Sequence, residues 1–304
     1  MLSRDLDDYI TLQRARGLKF TTQPGLLRSF VAAAAAAGDT HVLTARALDW
    51  AVRTTSDAQA RNRLAIVRRF AEHLVIADPV HEVPPADALG RWRFERRMPH
   101  IYTGDEIAVL MAAARRLGSP GSIRGETLAN LIGLLAATGL RVSEAIGLDP
   151  GDVTVDGLVI RETKFRKSRL VPLHPSARAA LDGYMRQCRL IRGAGDALFL
   201  NDHGRRPSYV TLYALFLRIG RETGIRGLPG EKGPRLHDLR HTFAVRSLEA
   251  CGGDRRAISR HMLALATYLG HADPSHTWWY LQATPALMRH IADAGEALMA
   301  EGTA

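Results

Sequence analysis

The chain is poor in three things, and each scarcity closes off a class of protein. Only two of its 304 residues are cysteine, Cys188 and Cys251. They form neither a C-x-x-C pair nor a framework, which excludes a disulfide-stapled secreted domain and a cysteine-built zinc site and fits a reducing compartment. No apolar run approaches the roughly 18–20 residues of a membrane span, and the opening Met1-Leu2-Ser3-Arg4-Asp5 lacks the form of a secretory signal. The expectation is a soluble, cytoplasmic protein with no membrane partner. Lysine is the third scarcity: of 41 Lys+Arg, only Lys19, Lys164, Lys167 and Lys232 are lysine. Lysine can give up a proton and arginine effectively cannot, so the place of each lysine is informative.

What the chain has in excess is positive charge. Its formal net charge is +10 and its sequence pI is about 10.2, a balance suited to a polyanionic partner. The charge is uneven: residues 1–95 hold 13 Lys+Arg against 11 Asp+Glu, and residues 96–304 hold 28 against 20. The second part therefore carries most of the field. At 304 residues and 46% apolar content, the chain can build two domains with separate cores.

Residues 3–77 read as helices joined by short loops. The spacing predicts a helix over Asp5–Arg16, with Leu6, Tyr9 and Ile10 on one side, a second over Gly25–Ala37, and a third over about 44–53. A fourth starts after Ser56 as N-cap, with Leu64, Val67, Phe70, Ala71 and Leu74 at helical spacing. Its other face carries Arg61, Arg63, Arg68 and Arg69, which is either a solvated face or a set of phosphate contacts. The run Ala32–Ala37 reads as tight helix packing. Pro79, Pro84 and Pro85 then remove donors and fix φ, so a domain boundary falls after residue 78 and an extended linker over 79–100 carries Arg91, Arg93, Arg96 and Arg97. Thr103 caps a helix to Arg116, with Asp105 and Glu106 near its positive end.

Leu131, Leu134 and Leu135 mark a buried helix that Thr138-Gly139 interrupts before Leu140-Arg141-Val142-Ser143-Glu144 starts another. An arginine among apolar residues needs an anion. Glu144 can supply it as a structural pair, or a phosphate can share the helix N-terminus. Val153–Val155, a turn at Asp156-Gly157, Leu158–Glu162 and Arg169–Leu173 read as a small antiparallel sheet. The hairpin tip between the last two strands holds Lys164 and Lys167, either as solubilising charge or as a general acid able to protonate a leaving oxygen.

The richest stretch runs from His237 to Tyr280. It contains His237-Asp238-Leu239-Arg240-His241, Leu269-Gly270-His271 and Tyr280. Arginine can hold a phosphate with a planar fork of donors, histidine can move a proton near neutral pH, and a tyrosine hydroxyl can attack. On a helix, His237 and Arg240 share a face. His237 and His241 are four apart, but an H-E-x-x-H motif is absent and no third ligand is evident, so neither a metal nor another cofactor is expected.

Taken together, Thr138-Gly139-Leu140-Arg141, the hairpin lysine followed by Arg169-Leu170-Val171-Pro172-Leu173, His237-x-x-Arg240, Leu269-Gly270-His271 and Tyr280 resemble the tyrosine recombinases and integrases, particularly their Xer-like branch. The helical first part, with Arg16-Gly17-Leu18-Lys19, resembles the family's core-binding domain. The resemblance implies a mainly α fold with a small antiparallel β-sheet. It divides the chain into a helical, SAM-like core-binding domain over 1–78, a linker over 79–100 and an α+β catalytic domain over 101–304. It further implies Arg141, His237, Arg240 and His271 around the scissile phosphate of double-stranded DNA, Lys164 as general acid and Tyr280 as nucleophile, through a 3′-phosphotyrosyl intermediate. Tyr268 is the next candidate nucleophile.

Two departures from the family pattern are evident. Thr163-Lys164-Phe165-Arg166-Lys167 replaces a glycine-rich hairpin, which leaves Lys167 as the rival to Lys164, and Trp278-Trp279 precedes the tyrosine. Leu287, Met288, Ile291, Leu298 and Met299 predict an amphipathic helix over 285–300. It either folds back on its own domain or docks in a neighbouring subunit of a tetramer, with accessory recombinases as further candidate partners. A DNA-binding regulator without catalysis and a type IB topoisomerase are the rival classes.

Overall fold

The computed structural model describes residues 2–90, 97–161, 168–188, 197–251 and 255–270. The chain divides into two compact units, Met1–Arg96 and Arg97–Ala304.

The first unit is built from α1 (Leu2–Ala15), α2 (Gln23–Ala36), α3 (Thr44–Val52) and α4 (Asp57–Leu74). Each buries the apolar stripe its spacing announced: Leu6, Tyr9 and Ile10 from α1, and Leu64, Val67, Phe70, Ala71 and Leu74 from α4. Ser56 accepts the Gln59 N–H and so caps α4. Phe30 and Trp50 meet edge to face with centroids 5.6 Å apart. Within the alanine run only Ala34 is buried, so the run is mostly solvent-facing helix and not the tight packing its composition suggested.

Residues 79–90, where the sequence places the start of a linker, are held to this unit. The Glu82 N–H donates to the Val42 carbonyl at 2.8 Å, and the Thr44 N–H donates to Glu82 Oε2 at 2.7 Å. Val83 and Leu89 pack on the helical core. Two of the four arginines on the outer face of α4 serve the same closure, Arg61 donating to the Gly90 carbonyl and Arg68 to that of Pro84, while Arg63 donates to the Arg53 carbonyl at the end of α3.

The second unit opens with α5 (Gly104–Arg115), whose capping box is complete: Thr103 accepts the Glu106 N–H while the Glu106 carboxylate accepts the Thr103 N–H. Around the central α6 (Arg124–Thr138) pack α5, α8 (Pro175–Cys188), α9 (Tyr209–Glu222) and α10 (Asp238–Glu249). Leu128, Leu131, Ile132 and Leu135 of α6 are essentially inaccessible, each contributing about 1.5–3 kcal/mol of transfer free energy.

A short α7 (Val142–Gly147) leads into a three-stranded antiparallel sheet of β1 (Val153–Thr154), β2 (Gly157–Ile160) and β3 (Arg169–Val171), in that order. Leu158 pairs with Val171 and Ile160 with Arg169. Gly157 starts β2 at φ 137°, where a Cβ would collide with the Val171 carbonyl oxygen. The sheet is where the alternation placed it, with the turn one residue earlier than expected. The last described helix is α11 (Arg255–Leu269), which packs on α10.

Candidate active site

The site grows from the end of α6. Gly139 closes that helix in the left-handed region at φ 60°, and a Cβ there would sit 2.5 Å from the Phe243 ring, so only glycine fits this turn. The turn leaves the Gly139 carbonyl pointing at Arg240, which lies in the first turn of α10. Arg240 is 2% exposed; its Nη1 donates to the Gly139 carbonyl and its Nη2 to the Leu269 carbonyl, both at 2.8 Å. Those acceptors stand at the C-terminal ends of α6 and α11, where the helix dipole is negative. That placement offsets part of the desolvation of a buried guanidinium without cancelling its formal charge.

Arg141 follows at the N-cap of α7. Its backbone N–H donates to Glu144 Oε2 at 3.0 Å, its Nη1 to Glu144 Oε1 at 2.7 Å, and its Nη2 to the Gly270 carbonyl at 3.0 Å. The structural pair with Glu144 is therefore present. A guanidinium has five N–H donors, and these two side-chain bonds use two of them. The side chain remains one third exposed. Through these bonds Thr138–Arg141, His237–Arg240 and Leu269-Gly270, far apart in sequence, are tied together.

His237 caps α10. The neighbouring Asp238 is buried and takes the Arg235 guanidinium, with Nη2 at 2.7 Å from Oδ1. The His237 ring is exposed on one side, yet the protein packed around it lowers its pKa, and the charges of Arg240, Arg235 and Arg141 lower it further. An imidazole held neutral in this way can accept or donate a proton at neutral pH. His241 stands nearly perpendicular to it with centroids 5.0 Å apart, and burial followed by the charge of His237 pushes its pKa down to about 4. Tyr268 stacks on Phe243 at 5.4 Å, and burial pushes its pKa up to about 12. That disfavours the phenolate and weakens it as the reserve nucleophile.

Of the residues singled out from sequence, Arg141, His237 and Arg240 are brought together here. Lys164, Lys167, His271 and Tyr280 lie outside the described residues, as does the predicted helix over 285–300. One participant went unrecognised. Arg169 on β3 forks onto Glu144, Nη2 to Oε2 at 2.8 Å and Nη1 to Oε1 at 3.2 Å. The signal was present in the strand alternation, since Arg169 shares a face with the buried Val171.

A second polar cluster lies in the first unit. His41, Asp78 and His81 offer ligand atoms within 4.8 Å of one another. His81 Nδ1 accepts the Val42 N–H at 3.1 Å, so the proton of the neutral ring sits on Nε2 and neither nitrogen presents a lone pair to a cation. The trio is a hydrogen-bonded clip joining residues 41–42 to residues 78–81.

The chain is thus a helical unit followed by an α+β unit that brings Arg141, His237 and Arg240 together. The family model for the phage integrase family matches residues 101–286. The chain is 37% identical over 296 residues to the integrase/recombinase y4rB of Sinorhizobium fredii, with 93% of each chain covered. It is 32% identical over 241 residues to the tyrosine recombinase XerD of Oceanobacillus iheyensis, covering 78% of this chain and 75% of that one. Among solved structures, a lambda integrase (residues 75–356) dimer bound to a core site has a TM-score of 0.63 at 18% identity, covering 93% of this chain and 96% of that one. The Tn1549 transposon integrase has a TM-score of 0.63 at 19% identity, covering 95% and 99%. The chain belongs to the phage integrase family of tyrosine recombinases and is a site-specific recombinase. Among the described residues, no helix is long and apolar enough to cross a membrane.

Proposed function

We propose that this enzyme cleaves and rejoins double-stranded DNA through a 3′-phosphotyrosyl intermediate, without a metal. The observation that carries the reading is the convergence of Arg141 and Arg240, each hydrogen-bonded to backbone carbonyls, beside a histidine held neutral. Two guanidiniums can stabilise the phosphorane formed when a hydroxyl attacks the scissile phosphate.

In this scheme the Tyr280 hydroxyl attacks phosphorus, and His237 or His271 assists movement of its proton. The bond from phosphorus to the 5′-oxygen breaks, and Lys164 protonates that oxygen. Attack by a 5′-hydroxyl on the phosphotyrosine reverses the sequence and reseals a strand, so no nucleotide cofactor is consumed. Residues 1–78 would contact DNA as the core-binding domain, 79–100 would link it to the catalytic domain over 101–304 with the first part of that link, 79–90, packed on the helical unit, and four copies would assemble on paired sites in the cytoplasm. The lambda integrase tetramer solved on a Holliday junction supports the last point by likeness of fold.

The test traps covalent protein–DNA complexes in cells and sequences the attached DNA. Tyr280→Phe is expected to bind that DNA with unchanged affinity and to form no adduct. An adduct that persists in the variant moves the nucleophile elsewhere. Wild-type protein that binds without breaking a strand is a regulator, and relaxed circles without recombinants mark a topoisomerase.

A further inference from the structure

Glu144 presents a difficulty for the site just described. A carboxylate 2.7 Å from Arg141 neutralises the charge that Arg141 is to offer a phosphate. Arg169 resolves it. Its side chain is 14% exposed and Glu144 is 8% exposed, and the two meet as a parallel fork, the strongest arrangement available to such a pair. The third donor direction is taken as well, since Nε bonds the Tyr268 carbonyl at 2.9 Å.

We propose that Arg169 is a positioning residue for catalysis: by taking up the charge of Glu144 and fixing its carboxylate, it leaves Arg141 positively charged and held in place for the DNA phosphate. This rests on the reading of Arg141 as a phosphate-gripping group.

Three further observations support the assignment. One carboxylate between two guanidiniums leaves one net positive charge, whereas one carboxylate with one guanidinium leaves none. Burial pushes the Glu144 pKa up, but the bonds from Arg169 and from the Arg141 N–H outweigh it and bring the group below its ordinary value, so the carboxylate is ionised and its charge has to be balanced. Gly270 is shaped around Arg169: it sits at φ 68°, and a Cβ there would stand 2.9 Å from Arg169 Nη1. The same glycine presents its carbonyl to Arg141. Arg169 thereby joins β3, the start of α7 and the end of α11 through one side chain.

A charge-balancing role and a merely structural one differ in the sign of a double-mutant coupling. The measurement is the rate of covalent complex formation on the DNA recovered from the wild-type adducts, with DNA affinity measured separately. Arg169→Met is expected to lower that rate at least about tenfold while changing affinity less than about threefold, because the loss falls on the reacting state. Combining it with Glu144→Gln removes the unbalanced carboxylate, and the double variant is expected to cleave faster than Arg169→Met alone. A double variant as slow as Arg169→Met, or slower, overturns the proposal, as does an Arg169→Met protein that cleaves at the wild-type rate. If Arg169→Met does not fold, Arg169→Gln keeps amide donors for Glu144 and Tyr268 while losing the charge, and carries the same two expectations. Arg141→Ala is the control. Wild-type cleavage by that variant defeats the reading of Arg141 itself, whatever the Arg169 variants show.

Discussion

Both units make much use of arginine, and they use it differently. In the first unit the pairs are mostly exposed: Arg46 with Asp39 and, at 4.0 Å, with Asp49, Arg53 with the same Asp49, and Arg68 with Glu72. Its bonds to carbonyls fasten loops, as Arg61 does at Gly90. In the second unit, Arg240 is bonded to two helix-end carbonyls, and Arg141 and Arg169 divide one carboxylate. The first arrangement closes a helical body; the second gathers Arg141, Arg169 and Arg240 around the ends of α6 and α11 and the start of α7.

The sharpest way to break this contrast is to remove Arg240. Arg240→Met leaves the buried Gly139 and Leu269 carbonyls without those donors, and is expected to cost about 3–5 kcal/mol in the second unit. Denaturant unfolding measures the loss, and hydrogen exchange should localise it to α6, α10 and α11. A loss below about 1 kcal/mol means the helix ends do not depend on this cation.

The corresponding cut in the first unit is His81→Phe, which orphans the buried Val42 N–H at an expected cost of about 1–3 kcal/mol. The change should appear in exchange from residues 41–44 and 78–82 and leave the second unit untouched. The group also titrates. Burial first, and then the charge of His41, lower the His81 pKa below 6.5, against the opposing pull of Asp78 and Asp5. The unfolded chain therefore takes up this proton first as pH falls. The contribution to stability is complete above 6.5 and is lost as pH drops through the lowered folded value. In His81→Phe that slope should disappear.

The smallest effect is expected on the surface of the second unit. Arg218 and Glu222 form an exposed i,i+4 pair, and Arg218→Ala should change stability by no more than about 0.5 kcal/mol. A larger loss would mean that ordinary pairs in this unit also matter, and that the difference between the units is one of place and not of chemistry.

Much of this was legible in the sequence because it is local. Apolar spacing marked α1 and α4, Thr103 marked the N-cap of α5, and Gly139 marked a turn whose φ admits little else. Arg141, His237 and Arg240 were identified by residue type and order. Their partners were not, because a bond from Arg240 to the Leu269 carbonyl joins residues 29 apart and depends on how two helices pack. Arg169 was missed for a related reason: its two-residue spacing from Val171 marks its face, but its partner Glu144 lies 25 residues away and only the fold brings them together. Residues 79–90 misled because three prolines forbid a helix without forbidding side-chain packing against one.

The bond between Arg240 and the Leu269 carbonyl also sets a length. Gly270, the next residue, is fastened to Arg141, which fixes the point from which the following chain departs, and Tyr280 comes ten residues later in the sequence. Fully extended, ten residues span at most about 33–36 Å. In the cleavage scheme proposed above, that contour length with the tyrosine side chain added is the upper bound on how far from Gly270 the Tyr280 hydroxyl can meet a phosphate. Residues inserted between Gly270 and Tyr280 would raise that bound and, in the same scheme, dilute the hydroxyl at the phosphate.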